Sequence, residues 1–206
     1  MPQVSTLARL IPDVFRLEMA DAQPFKIDGI YCRIIPLTRG LFTIVDAADF
    51  DWLNEHKWQA RPHHCGKTYY AMRPNRSGVG PSTVVMHAEI CGPRADHINL
   101  CGWDNRRKNL RPSNRSTNGA NCRPRSGRKY KGVYRKARCT ESYESAITVN
   151  RVRYYLGTYR QVEPAARAYD IAASHCFGEF ARLNFPDEQL WRSLEDRVLA
   201  LVGLSR

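Results

Sequence analysis

The chain has 206 residues, of which 43% are hydrophobic and 25% charged, and its net charge is +12. This composition suits a folded soluble protein of one large or two small domains and excludes a disordered polar chain. The excess charge is concentrated between positions 102 and 138, where thirteen Lys and Arg residues accompany one acid, Asp104. Such a tract favours a polyanionic partner, above all nucleic acid, over a merely solvated face.

The cysteine usage predicts an intracellular protein. There are seven cysteines, an odd number, and none has C-x-x-C spacing, so neither a disulfide framework nor a paired zinc knuckle is indicated. No apolar run reaches the length of a membrane span, and the first residues lack a signal-type core. We therefore expect a cytoplasmic, DNA-associated protein without a membrane partner.

We expect residues 1–25 to be an N-terminal tail, in which 7–17 is either a short helix or loose chain. Residues 26–80 predict a small, β-rich α+β module. Its predicted strands are 31–37, 41–45 and 68–72, and a helix capped by Asp46 spans 48–55.

The cluster His63-His64-Cys65 contains three residue types that bind metals. It lies between Pro62 and Gly66, where a loop is expected, and three adjacent side chains rarely face one ion. An exposed loop is the favoured interpretation.

The segment 81–121 carries the residues with the most chemistry. His87 lies in a predicted strand, 82–90. Asp96-His97-Ile98-Asn99 follows, then Asn109-Leu110-Arg111 and a predicted short helix, 116–121, that carries Asn118. A carboxylate beside an imidazole can hold a divalent cation while the imidazole deprotonates a water.

This pattern resembles the HNH (His-Asn-His) nuclease superfamily and its ββα-metal motif. The resemblance implies that Asp96 and Asn118 are ligands of magnesium or manganese and that His97 is the general base. It also implies that Asn109 braces the loop and orients His97, and that His87 belongs to the active site. The arginines expected to hold the phosphate chain are Arg106, Arg107 and Arg111.

Two departures from this motif keep a second interpretation open. His87 is followed by Ala88 and Glu89 rather than by arginine, and Leu100-Cys101 replaces the usual glycine. A non-catalytic, sequence-specific DNA-binding regulator with a decayed HNH core is therefore the alternative. A structured RNA binder is a third option, but no exposed-aromatic RNA-binding signature is present.

After a basic linker, 122–128, residues 129–186 predict three strands and one helix. Tyr130-Lys131-Gly132-Val133 starts the first strand, Asn150-Arg151 forms a turn between the other two, and Pro164 opens a helix that ends near Gly178. This segment resembles the APETALA2 or ethylene-response-factor DNA-binding domain. The motifs that carry the resemblance are Tyr130-Lys131-Gly132-Val133, Tyr155-Leu156-Gly157, Ala165-Ala166-Arg167-Ala168-Tyr169-Asp170 and Leu183-Asn184-Phe185-Pro186.

That resemblance implies a three-stranded antiparallel sheet, packed on one helix, whose other face enters the major groove of double-stranded DNA. The residues expected at the DNA are Lys131, Tyr134, Arg135, Lys136, Arg138, Arg151, Arg153 and Tyr155. Residues 187–206 are predicted to form a C-terminal helix.

Together the two resemblances predict an α+β protein in which a metal-dependent HNH endonuclease is targeted by a C-terminal DNA-binding sheet. This domain pairing is typical of phage and bacterial HNH proteins of the homing type.

Overall fold

The computed structural model describes residues 23–63, 68–124, 127–136, 141–186, 198, 199 and 203. The chain divides into two compact units, Met1–Pro112 and Ser113–Arg206. This boundary falls inside the predicted segment 81–121, ahead of the helix expected to complete the ββα motif. In the described part of the chain, no helix is long and apolar enough to cross a membrane. The predicted tail helix, 7–17, lies outside the described residues.

The first unit begins with a three-stranded antiparallel sheet made of consecutive strands. These are β1 (Phe25–Ile27), β2 (Ile30–Pro36) and β3 (Phe42–Asp46). The predicted strands 31–37 and 41–45 are confirmed as β2 and β3, each shifted by one residue. A single 3₁₀ turn, Thr38–Gly40, joins them.

Helix α1 (Ala47–Asn54) follows β3 directly and confirms the predicted helix. Phe50 and Leu53 are buried on it and share a core cluster with Trp58, as the apolar spacing predicts. Asp46 occupies the N-cap position, but its side chain makes no capping bond. Its carboxylate accepts a hydrogen bond from the backbone N–H of Arg107 at 3.2 Å.

A second antiparallel sheet follows, and the chain beyond it departs from the prediction. The sheet contains β4 (Gln59–Pro62), β5 (Tyr69–Pro74) and β6 (Thr83–Val85), and helix α2 (Met86–Cys91) comes next. The predicted strand 82–90 is therefore wrong beyond Val85, and His87 lies on a helix. Met86 and Ile90, four residues apart, are both buried, and methionine, alanine and glutamate favour helix.

The first unit ends with a short antiparallel pair, β7 (Ala95–His97) and β8 (Leu110–Pro112). The loop between them ends in a 3₁₀ turn, Arg107–Asn109. This pair brings the two halves of the segment rich in Asp, His, Asn and Arg side by side.

In the second unit, helix α3 (Arg115–Asn121) precedes a three-stranded antiparallel sheet and a long helix. The Asn114 side chain accepts hydrogen bonds from the backbone of Ser116 and Thr117, and so caps α3. The second strand of the sheet in chain order is also its central strand, and the long helix packs on one face of the sheet. The elements are β9 (Val133–Arg135), β10 (Tyr143–Val149), β11 (Val152–Tyr159) and α4 (Val162–Phe177). The predicted sheet packed on one helix is confirmed.

Small residues allow this close packing. Ala168 and Ala172 of α4 are fully buried with Ile147 and Leu156 of the sheet. Gly132 has φ +74°, and an added Cβ would lie 1.8 Å from the Tyr169 ring, so the backbone approaches α4 closely there. Val198 and Leu199 are buried in the same cluster. The other apolar positions of the predicted C-terminal helix, Leu190, Trp191, Leu194 and Leu201, lie outside the described residues.

Two irregularities set which side chains face outward. Asn150 and Arg151 form the predicted turn between β10 and β11, and both have a left-handed backbone, with φ of 48° and 72°. A bulge near Leu156 shifts the register, so that Tyr155 pairs with Ala146 while Gly157 pairs with Ser145. The chain is thus α+β with several small antiparallel sheets, as predicted.

Candidate nucleic-acid interface

Asp96 lies opposite Arg111 in the β7–β8 pair, and both side chains are buried. The Arg111 guanidinium donates to Asp96 Oδ2 from Nη2 at 3.2 Å and from Nε at 3.3 Å. A divalent cation would have to compete with this guanidinium for the carboxylate. Within the described residues, no group of three or more His, Cys, Asp or Glu side chains is placed to hold a metal ion.

Asn118, the second predicted metal ligand, lies on α3 in the second unit, whereas Asp96 belongs to the first. Binding of magnesium or manganese by these two residues stays a prediction.

His97 is buried, at 4% exposure, and its Nε2 lies 3.1 Å from Asn105 Oδ1. Its ring stacks on Tyr70 with centroids 5.6 Å apart, and the His87 ring lies 4.7 Å away. Burial lowers the pKa of His97. The pKa of His87 is lowered to about 3, mainly by burial and to a smaller extent by the nearby His97. Both imidazoles are therefore neutral near pH 7 and belong to a packed ring cluster.

Asn109 braces the loop between β7 and β8. Its Nδ2 donates to the Asp104 carbonyl at 2.8 Å, and its Oδ1 accepts from the Asn99 backbone at 3.1 Å. Asn99 in turn donates to Asp104 Oδ2 at 2.9 Å. The carboxamides predicted for a catalytic loop therefore hold the backbone of that loop.

The front half of the basic tract is matched by carboxylates. Arg106 donates to Asp104 from Nε and Nη2 at 2.7 and 2.8 Å, and both side chains are buried. Arg107 donates to Asp49 through the same two nitrogens, also at 2.7 and 2.8 Å. These bonds raise the pKa of each guanidinium. The structure thus gives Arg106, Arg107 and Arg111 carboxylate partners, and their contact with DNA stays a prediction.

The outer face of the β9–β10–β11 sheet, defined as the face opposite α4, carries a different chemistry. Ile147 and Val149 of β10 and Tyr154 and Leu156 of β11 pack toward the helix. The alternate residues therefore point to the outer face. Those with polar or aromatic side chains are Tyr134, Lys136, Glu144, Thr148, Arg153 and Tyr155.

The Tyr134 ring contacts two guanidinium groups. Arg153 is 4.8 Å and Arg128 is 4.4 Å from the centroid of its ring. Cation–π contacts of this kind fix the planes of guanidinium groups without consuming their hydrogen-bond donors. Tyr155 is 51% exposed on the same face, and its hydroxyl contacts Thr158 Oγ1. The face thus combines ordered cations with exposed aromatic surface.

The remaining predicted DNA contacts differ in their placement. Arg135 and Arg151 are exposed, at the end of β9 and in the turn before β11. Lys131 faces α3 within the second unit: its ammonium donates to the Gly119 carbonyl at 3.1 Å and to that of Ala120. Burial lowers the pKa of Lys131 to about 8. The contact of Lys131 with DNA therefore stays a prediction, and Arg138 lies outside the described residues.

Sequence reasoning missed Arg128 and Glu144. Arg128 lies in the segment predicted as a linker, and its contact with Tyr134 depends on how that segment folds back. Glu144 alternates with the core residues Tyr143 and Ile147 in a predicted strand. Strand periodicity alone could therefore have placed it on the outer face.

About a third of the chain is similar to plant transcription factors. Ethylene-responsive transcription factor ERF012 of Arabidopsis thaliana is 40% identical over 74 residues, which are 35% of this chain and 31% of that protein. Ethylene-responsive transcription factor ERN3 of Medicago truncatula is 37% identical over 73 residues, with the same shares. Dehydration-responsive element-binding protein 2E of Arabidopsis thaliana is 45% identical over 47 residues, 23% of this chain and 19% of that protein.

The chain therefore spans less than a third of the length of these curated relatives. No family model matches it. The resemblance to the ethylene-response-factor DNA-binding domain is confirmed by identities of 37–40% over 35% of the chain.

The matches overturn the predicted enzyme. These relatives are named as transcription factors and as an element-binding protein, and none is named as a nuclease. The prediction of an HNH endonuclease, with its phosphodiester hydrolysis, is therefore wrong, and the HNH resemblance has no support among them. The pairing of Asp96 with Arg111 and the burial of His97 give those residues a structural role in the first unit.

Proposed function

We propose that this protein is a sequence-specific, double-stranded-DNA-binding regulator whose outer sheet face enters the major groove. The observation that carries the proposal is the pair of cation–π contacts that Arg128 and Arg153 make with Tyr134 on that face. The major groove is about 12 Å wide and admits a β surface, and arginine reads the guanine edge through two hydrogen bonds. The similarity to element-binding and ethylene-responsive factors supports the same assignment.

The charges around this stack suit a phosphate backbone. Arg135 and Arg151 are exposed at the ends of strands, where they can reach phosphates on either side of the groove. In the first unit, by contrast, Arg106, Arg107 and Arg111 are occupied by carboxylates. We therefore assign affinity for DNA to the second unit.

The experiment is selection of binding sites from a random duplex library with the full chain, followed by affinity measurements over a range of salt concentrations. We expect a selected duplex to bind at least about 10³-fold more tightly than a scrambled one. Arg153→Ala should lose roughly 1–3 kcal/mol of binding free energy on the selected duplex.

Arg61→Ala is the matched control, because Arg61 is an exposed arginine of the first unit. It should bind the selected duplex like the wild type. Failure to enrich any sequence, or equal losses in the two variants, would contradict the proposal.

A further inference from the structure

A carboxylate occupies the middle of the proposed DNA-binding face. Glu144 lies on the central strand β10, in register between Tyr134 of β9 and Thr158 of β11. The same alternation places Thr148 of β10 beside Arg153. Glu144 thus shares the outer face with Tyr134 and Arg153, which are expected to contact DNA.

Glu144 is held toward the surface by a lysine of the same face. Lys136 Nζ lies 3.2 Å from Glu144 Oε1, and the two side chains are 43% and 30% exposed. The pair is accessible, so Lys136 can leave Glu144 for a phosphate without unfolding the sheet. The carboxylate then needs a hydrogen-bond donor in place of the ammonium.

In the major groove, that donor can come from a base. Cytosine presents its exocyclic amino group there, and glutamate accepts from it. Thymine and guanine present acceptors at their major-groove edges, which repel a carboxylate, and phosphates repel it as well. Adenine also presents an amino group, but beside the acceptor N7, which repels the second carboxylate oxygen. The negative charge of Glu144 weakens the attraction of this face for DNA. A hydrogen bond from a cytosine amino group offsets that repulsion.

We propose that Glu144 is a specificity-determining residue that accepts a hydrogen bond from a cytosine amino group in the major groove, while Lys136 transfers to a phosphate. This inference rests on the proposed function and assigns one base of its target. Glu144 lowers affinity for duplexes that lack the cytosine and therefore widens the gap between specific and non-specific binding.

The test is the same library selection with wild type, Glu144→Gln and Glu141→Gln. Glu141 is an exposed acid two residues before β10 begins, so its variant makes the same change in net charge outside the sheet. Wild type and Glu141→Gln should share one position dominated by cytosine. Glu144→Gln should lose that preference, in favour of adenine, which glutamine contacts through two hydrogen bonds.

Affinities give a second readout. Replacing the preferred cytosine should weaken wild-type binding about five- to hundredfold and leave Glu144→Gln little affected. Lys136→Ala should weaken binding to all duplexes and reduce the salt slope by about one unit while keeping the cytosine preference. Loss of that preference in Lys136→Ala would overturn the role of Glu144 as an independent reader of the base.

The outcomes separate this inference from the proposed function. A wild type that enriches a defined site, with Glu144→Gln retaining every position of it, overturns the inference and leaves the proposed function standing. A wild type that enriches no duplex overturns both. Equal thermal unfolding of Glu144→Gln and Glu141→Gln establishes that the compared proteins are folded alike.

Discussion

The guanidinium of Arg107 holds the carboxylate of Asp49 through two hydrogen bonds of 2.7 and 2.8 Å, across 58 positions of the chain. The Asp49 side chain is 4% exposed and lies in the first turn of α1. A residue from the basic tract therefore ties the loop before β8 to the first helix. Its charge serves the fold of the first unit.

Arg107→Ala should destabilise the first unit and leave DNA affinity nearly unchanged. It removes the guanidinium from a buried carboxylate, for which we expect a loss of about 1–3 kcal/mol in the free energy of unfolding. Urea unfolding followed by tryptophan fluorescence measures this loss. Asp51→Ala is the control, because Asp51 lies on the same helix with 94% of its side chain exposed. A marked loss of DNA affinity in folded Arg107→Ala would contradict the assignment.

Lys131 should make the stability of the second unit rise with pH. Its folded pKa is about 8, below the value near 10.4 of an unfolded chain, because the ammonium is buried. Between these two values, the unfolded state binds more protons than the folded state. The free energy of unfolding should therefore increase, by at most about 1.4 kcal/mol per pH unit. Lys131→Met should lack this rise when the two proteins are compared by urea unfolding from pH 7.5 to 10.5.

His87 should make the first unit sensitive to acid. Its folded pKa of about 3 lies below the unfolded value near 6.5, so the unfolded state binds the extra proton as pH falls between them. The free energy of unfolding should fall by at most about 1.4 kcal/mol per pH unit on this account. His87→Phe keeps a ring beside Tyr70 but removes the titration, and should reduce this slope between pH 6.5 and 4. The exposed His56, replaced by Phe, is the control and should leave the slope as in wild type.

Gly132→Ala should strongly destabilise the second unit. The substitution adds a Cβ that would meet the Tyr169 ring at 1.8 Å, on a backbone with φ +74°. We expect a loss of about 2–4 kcal/mol from the clash and the left-handed backbone together. Gly127→Ala isolates the backbone effect, since Gly127 has φ +81° and open space around it. Equal losses in the two variants, measured by thermal unfolding, would refute the close approach of the backbone at Gly132 to α4.

Tyr134 should couple the two arginines that it touches. In a double-mutant cycle on a selected duplex, Arg153→Ala should cost less binding free energy in a Tyr134→Ala background than in wild type, by about 0.5–2 kcal/mol. Fluorescence anisotropy at fixed salt measures the four affinities. Strictly additive losses would show that the ring does not order Arg153.

Local pattern predicted much of the fold. Strand-like apolar runs predicted β2 and β3, alternation predicted β10, and Pro164 and Gly178 marked the two ends of α4. The prediction of a strand through His87 was wrong because Met86 and Ile90 lie on one side of a helix. In a short apolar run, periodicity alone does not distinguish a helix from a strand.

The ion-pair partners of the arginines could not be predicted from the sequence. Asp49 is far from Arg107 along the chain, and the pairing of Asp96 with Arg111 depends on strand register. A motif of Asp, His, Asn and Arg therefore suggested hydrolysis where the structure uses these side chains to close a loop. The partners of Lys131 could not be predicted either, because they are backbone carbonyls of a helix that precedes the sheet.

Arg151 occupies a hairpin turn in a left-handed conformation that costs a residue with a Cβ about 1–2 kcal/mol. Glycine would adopt the same backbone without that cost. Screening for thermal stability alone would therefore replace this arginine early and remove an exposed positive charge next to β11. At position 151, thermal stability favours glycine, whereas the positive charge beside β11 requires arginine.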